Sequence, residues 1–169
     1  MGAFRANTPT GCSVAFRASK TEKARHVRAV AGTMPVVMDK LATIFRAAEQ
    51  VAHAFHHQVS GPSFLADHAY LADIYNAYFE AFDDVIERAI GLGEPLDLAK
   101  VNADATALAS AAVATDPATW AKTLLDWETM IQAEVASLMV DASVGSQNLL
   151  AQFADDSEAR SYKLRQRAA

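Results

Sequence analysis

Cysteine is almost missing: Cys12 is the only one in 169 residues, so no intrachain disulfide framework is possible, which suits a reducing compartment. No uncharged apolar run is long enough to cross a bilayer, and a soluble chain with no membrane partner is expected. Strand-like alternation of polar and apolar positions is absent, as are internal repeats and low-complexity tracts. What remains is a chain of one-domain length, 51% hydrophobic, with enough residues to bury a sizeable core.

The net charge of −5 hides an uneven distribution. Residues 1–30 carry Arg5, Arg17, Lys20, Lys23, Arg25 and Arg28 against Glu22 alone, and Arg160, Lys163, Arg165 and Arg167 crowd the last ten positions. The stretch 31–159 is left with five basic and nineteen acidic residues. An acidic body attracts cations, while basic ends can reach phosphates or simply aid solubility. The chain divides accordingly into a basic N-terminal arm, 1–33, and a folded domain, 34–169.

Helical periodicity dominates that domain. From Pro35, suited to a first turn, Val37, Leu41, Ile44, Phe45, Ala48, Val51, Ala52, Phe55 and Val59 follow three-and-four spacing and predict a helix A over about 34–59. Ser60-Gly61-Pro62-Ser63 breaks the pattern. Helix B follows Ser63 as its cap and runs through Leu71, Ile74, Tyr75, Tyr78, Phe79, Phe82, Val85, Ile86 and Ile90 until Gly91 and Gly93 stop it. Its apolar surface is wider than one partner helix needs, which suits packing against both its own bundle and another subunit. The connection from Glu94 to Thr115 is long, with a short helix expected at Asn102–Ala112. Asp116-Pro117 starts helix C, expected to reach about Ser143; Gly145 breaks it, and Ser146 opens helix D to about Arg165. Trp120, Trp127, Met38, Met130 and Met139 read as core. Four main helices with a long crossover between the second and third predict an all-α, ferritin-like four-helix bundle.

Within that frame, His56, His68, Asp83 and Glu87 carry the chemistry. Imidazole and carboxylate are ligand types that hold Fe(II) while leaving positions open for an oxidant. Asp83 and Glu87 lie one turn apart on one helical face. His56 and His68 lie equally far from Pro62, so an antiparallel hairpin sets them at one level. Fifteen helical residues separate His68 from Asp83 by roughly 22 Å, too far for one subunit to close the site. The carboxylates would have to come from a second copy packed antiparallel, with a two-fold axis crossing helix B near Asn76 and Ala77. Singly, each residue has a bland reading: a hydrogen-bonded core histidine or a solvated carboxylate. Their joint spacing favours the metal. Arg88 reads as orienting Glu87 or a neighbouring acid.

The segment Phe55-His56-His57-Gln58-Val59-Ser60-Gly61-Pro62-Ser63-Phe64, with His68 and then Asp83-Asp84-Val85-Ile86-Glu87-Arg88, resembles the ferroxidase signature of the Dps family, DNA-binding proteins from starved cells. Gly145 to Leu150 and Glu158 to Arg165 are similar to that family's last helix, and the likeness covers about 34–165. It implies a hollow homododecamer in which His56 and His68 of one subunit, with Asp83 and Glu87 of its two-fold mate, bind one or two irons. Glu87 would bridge them, and Asp83 would hold the tighter one. It also implies oxidation of Fe(II), usually by hydrogen peroxide and otherwise by O2, and storage of ferric mineral.

Where the family usually has tryptophan after the first histidine, this chain has His57, four residues after His53 and on the same face. The pair is either a polar contact at a subunit seam or an extra ligand set for a second ion or zinc. Ala72 stands where some members place an acid. In this family a basic arm can hold DNA non-specifically through phosphates, and Arg5, Arg17, Lys20, Lys23 and Arg25 are the candidates. The expected location is cytoplasm or nucleoid; the same arm, rich in Ala, Arg, Ser and Thr, also resembles an organelle transit peptide. An ordinary ferritin would need Glu-x-x-His, which does not occur. The reading of another class is a cage or DNA-compacting protein whose iron site has decayed.

Overall fold

The computed structural model describes residues 38–169. The basic arm residues, Cys12 and the expected helix start at Pro35 lie outside the described residues. Among those described, every regular element is helical: α1 Asp39–Gln58, α2 Phe64–Leu92, α3 Leu98–Val113, a 3₁₀ turn Pro117–Thr119, α4 Trp120–Met139 and α5 Val144–Ala168. None is long and apolar enough to cross a membrane.

Local chemistry sets most of the boundaries. Gly61, at φ 89°, makes the turn between α1 and α2, and Gly93, at φ 73°, closes α2 in the left-handed conformation that glycine adopts without strain. Gly91, also expected to stop that helix, is carried inside it. Asp97 caps α3 by accepting from the Lys100 N–H, giving a helix longer at its start than the predicted Asn102–Ala112. Asp116 caps as expected, but Pro117 begins a single 3₁₀ turn and α4 proper starts at Trp120.

Two expectations at the next junction are corrected. Helix α4 ends at Met139, and Gly145 is no breaker: it sits in the first turn of α5. Ser143 rather than Ser146 is the cap, its Oγ accepting from the Ser146 N–H. A first-turn residue has no intrahelical acceptor for its N–H, so glycine costs little there. The Arg88 side chain approaches closely here: a Cβ on Gly145 would lie 3.2 Å from Arg88 Nη1, and the guanidinium would have to shift by a few tenths of an ångström.

Side-chain contacts fix the directions of the helices. Helix α1 packs against α2, α3 and α4, and α4 packs against α5. Lys40, early in α1, pairs with Glu134, late in α4, so these two run antiparallel. Glu128 meets Arg160 and Gln132 meets Ser157, so α4 and α5 also run antiparallel. Tyr70 lies beside Trp120 and Tyr78 beside Glu128, so α2 and α4 run in the same direction. The chain must therefore travel back along the bundle between them. Helix α3 makes that journey alongside α1, with Arg46 bonded to Asn102 and Gln50 to Thr106.

The four long helices share one core. Leu41, Phe45, Ala48 and Phe55 of α1, Leu71, Ile74 and Tyr78 of α2, Leu124 and Ile131 of α4, and Leu150, Phe153 and Leu164 of α5 are buried in it. Phe45 meets Phe153 edge to face at 5.0 Å. Met38, Trp120 and Trp127 are buried as expected, and Met139 packs against the core from its edge. Met130, read as core, is 39% exposed: it falls on the outer side of α4, beside Thr129 and away from the Trp127–Ile131 stripe.

Candidate metal centre

The histidine end is built by the α1–α2 hairpin. Helix α1 delivers His53, His56 and His57 in its last two turns, the chain reverses through Gly61, and α2 delivers His68 just after its start. The rings of His56 and His68 come to 3.7 Å between centroids with planes 39° apart. His56 is buried, while His68 is half-buried.

One hydrogen bond orients this pair. His56 Nδ1 lies 2.9 Å from the His68 carbonyl oxygen. A carbonyl can only accept, so Nδ1 carries the proton and Nε2 keeps its lone pair free for a metal. That is the usual way a ligating imidazole is held. Partial burial, then the neighbouring His56 and His57 rings, lower the pKa of His68 and favour its neutral, metal-binding form.

The carboxylate end is elsewhere on the same helix. Asp83 and Glu87 are both exposed, one turn apart, and neither forms an ion pair among the described residues. Helix α2 is unbroken from Phe64 to Leu92, so the separation of roughly 22 Å from His68 to Asp83 applies within one chain. Among the described residues, no three His, Cys, Asp or Glu side chains come together in a way that could hold a metal. One chain therefore presents the imidazole pair and the carboxylate pair as two separate clusters.

Arg88 does not take the role expected of it. Among the described residues it makes no ion pair with Glu87 or another acid, and its guanidinium instead lies against Gly145. Between the histidines and the carboxylates, the outer face of α2 is unusually apolar. Leu65 is 82%, Phe79 50% and Ile90 60% exposed, on the same side as Asn76, Asp83 and Glu87 and opposite the buried stripe Leu71, Ile74, Tyr78 and Val85.

Other residues emerge only in three dimensions. Tyr75, counted among the apolar positions of helix B, is only half-buried and stands against the histidines, 4.6 Å from the His53 ring and 5.4 Å from that of His56. Its spacing of seven from His68, two turns on one face, was the available signal. His53 and His57 share a face as expected, with their Nε2 atoms 3.2 Å apart.

A second polar cluster is largely internal. Glu128, fully buried on α4, accepts from the Tyr78 hydroxyl at 2.6 Å and from the Arg160 guanidinium through both carboxylate oxygens. Burial and then the Glu128 charge push the Tyr78 phenol well above its ordinary pKa, while the bonds from Glu128 raise that of Arg160 against its own burial. No local pattern in the sequence pairs these three residues. The DNA candidates Arg5, Arg17, Lys20, Lys23 and Arg25 lie outside the described residues. No family model and no curated protein matches this chain.

Proposed function

We propose that this chain is a ferritin-like, Dps-type ferroxidase whose site is completed by a second copy. The observation that carries the reading is the division of one ligand set along one helix. An imidazole pair with an oriented Nε2 stands at one end of α2, and an Asp83–Glu87 pair that forms no ion pair among the described residues stands at the other. The bundle order supports it as well, since a parallel α2 and α4 joined by a long crossover is the ferritin-type arrangement. So does the exposed Leu65–Phe79–Ile90 strip, which an antiparallel mate would cover with its axis near Asn76 and Ala77.

In that dimer, His56 and His68 of one copy face Asp83 and Glu87 of the other, and Fe(II) is the substrate held between them. Two Fe(II) ions each give one electron to hydrogen peroxide. The O–O bond breaks, and with two protons the products are two waters and two Fe(III). Delivering both electrons together avoids releasing hydroxyl radical. The ferric product moves to a mineral core inside a homododecamer, and the basic arm holds DNA through phosphates.

The test is optical Fe(II) oxidation, with peroxide and with O2, in parent protein and in cage-forming His68→Ala and Glu87→Gln variants. Removing one ligand slows oxidation by more than about tenfold, since outer-shell changes alone cost that much. Unchanged rates in both variants would sink the assignment and leave a cage with a decayed site. For the arm, a gel shift that disappears with added salt and with deletion of residues 1–21 is expected.

A further inference from the structure

The geometry points to a second metal site, separate from the divided one: a two-imidazole chelate for a late first-row divalent ion, formed by His53 and His57 on the outer face of α1. Their Nε2 atoms meet at 3.2 Å in a hydrogen bond in which one ring donates, and a metal ion takes the place of that proton. Two nitrogens at about 2.0–2.1 Å from one tetrahedral Zn(II) stand about 3.3–3.4 Å apart, so an ion fits between these atoms after a shift of about 0.2 Å. The spacing of four residues on a continuous helix provides this convergence, and the fold does not have to move to make it.

The surroundings suit a ligand pair. Glu49, one turn before His53, places Oε1 3.9 Å from His53 Nδ1, on the ring edge opposite the converging nitrogen. At that distance the carboxylate is not hydrogen-bonded to the ring, but its negative charge favours a cation bound at Nε2. Arg46 holds Glu49 through the other oxygen at 2.9 Å, and the Tyr75 ring packs on His53 at 4.6 Å. Both histidines are exposed and line an open recess with Arg46, Glu49, Gln50 and Ala54, so an ion reaches them directly.

This site is distinct from the half-site beside it. His56 Nδ1 is committed to the His68 carbonyl, and the His56 ring centroid is 6.3 Å from that of His53. No third His, Cys, Asp or Glu joins the pair closely enough to make a three-ligand site among the described residues. Water, or a donor from another copy, fills the remaining positions. Imidazole nitrogen suits Zn(II) and Cu(II), and the Irving–Williams order places Cu(II) as the tighter of the two.

The experiment is calorimetric titration of the full chain with Zn(II) and with Cu(II), in parent, His53→Ala, His57→Ala and His68→Ala proteins of equal helix content. Parent protein should bind one Zn(II) per chain at this site, with Cu(II) tighter. Either His53→Ala or His57→Ala should remove that equivalent or weaken it at least about tenfold, and His68→Ala should leave it in place. Cu(II) electron paramagnetic resonance should lose one nitrogen coupling in each single variant. Titrations of the His53 and His57 variants that match the parent would overturn the site, as would an equivalent lost only in His68→Ala. Zn(II) is redox-inert, so these outcomes are independent of whether the divided centre oxidises iron.

Discussion

Two polar clusters hang on α2, and they differ in whether their bonding is complete. Around Tyr78, the Glu128 carboxylate uses both oxygens on Arg160 and one on the phenol, and carboxylate and phenol are fully buried while the guanidinium is 14% exposed. Around His68, His56 is anchored on the His68 carbonyl, the Nε2 atoms of His53 and His57 meet each other, and Asp83 and Glu87, exposed farther along α2, form no ion pair among the described residues. A closed network spends its hydrogen-bonding capacity on the fold. An open one keeps that capacity for something else, and the histidines, unlike the buried ion pair, have donor atoms to spare.

The contrast can be broken most sharply at Glu128. Glu128→Ala leaves a largely buried guanidinium and a buried phenol without their acceptor, and a loss of about 3–5 kcal/mol is expected in denaturant unfolding. His68→Ala, at the open cluster, should cost under about 1 kcal/mol in the same measurement. Equal losses would erase the distinction between the clusters.

A smaller effect is expected where α5 returns to the start of α2. Arg167 donates to Asp67 through Nε and Nη2, and the Ser63 hydroxyl donates to Asp67 and accepts from Arg167 Nη2. The Arg167 hydrogen bonds outweigh burial and hold the Asp67 carboxyl below its ordinary range. The pair therefore stabilises the fold above the ordinary carboxylate pKa, and that contribution disappears as pH falls through the lowered folded value. Arg167 is 44% exposed, so the amount is on the scale of about 1 kcal/mol. Asp67→Asn should flatten the acid limb of a stability-against-pH curve. An unaltered limb would show that the pair is only a surface contact.

The smallest effect is spectroscopic. Tyr70 lines the groove between α2 and α5, and its buried hydroxyl has no hydrogen-bond partner among the described residues. Burial, and after it the charge of Glu128, push its pKa up to about 12. The difference in phenolate absorbance between parent and Tyr70→Phe should appear near that pH while the far-ultraviolet signal remains helical. Ionisation in the ordinary tyrosine range would mean that water reaches this edge of the closed cluster.

Much of this architecture was legible in the sequence because its signals are local. Three-and-four spacing marks the helices, Gly61 and Gly93 mark two of their ends, and the distance from Pro62 sets His56 and His68 at one level. Gly145 misled because a glycine in a first turn looks the same as one that ends a helix; what separates them is the Ser143 cap and the Arg88 side chain arriving from another helix. Met130 misled because spacing assigns a face only when the helix's neighbours are known. The Tyr78–Glu128–Arg160 network left no trace, since its members are joined by tertiary contact across fifty and thirty-two positions.

The unbroken run of α2 from Phe64 to Leu92 also has a genetic meaning. If each centre draws its imidazoles from one copy and its carboxylates from the mate, a chain crippled at His68 and a chain crippled at Glu87 carry complementary defects. A mixed pair concentrates both lesions in one centre and leaves the other whole. Two inactive proteins, unfolded and refolded together, should regain activity that neither has alone.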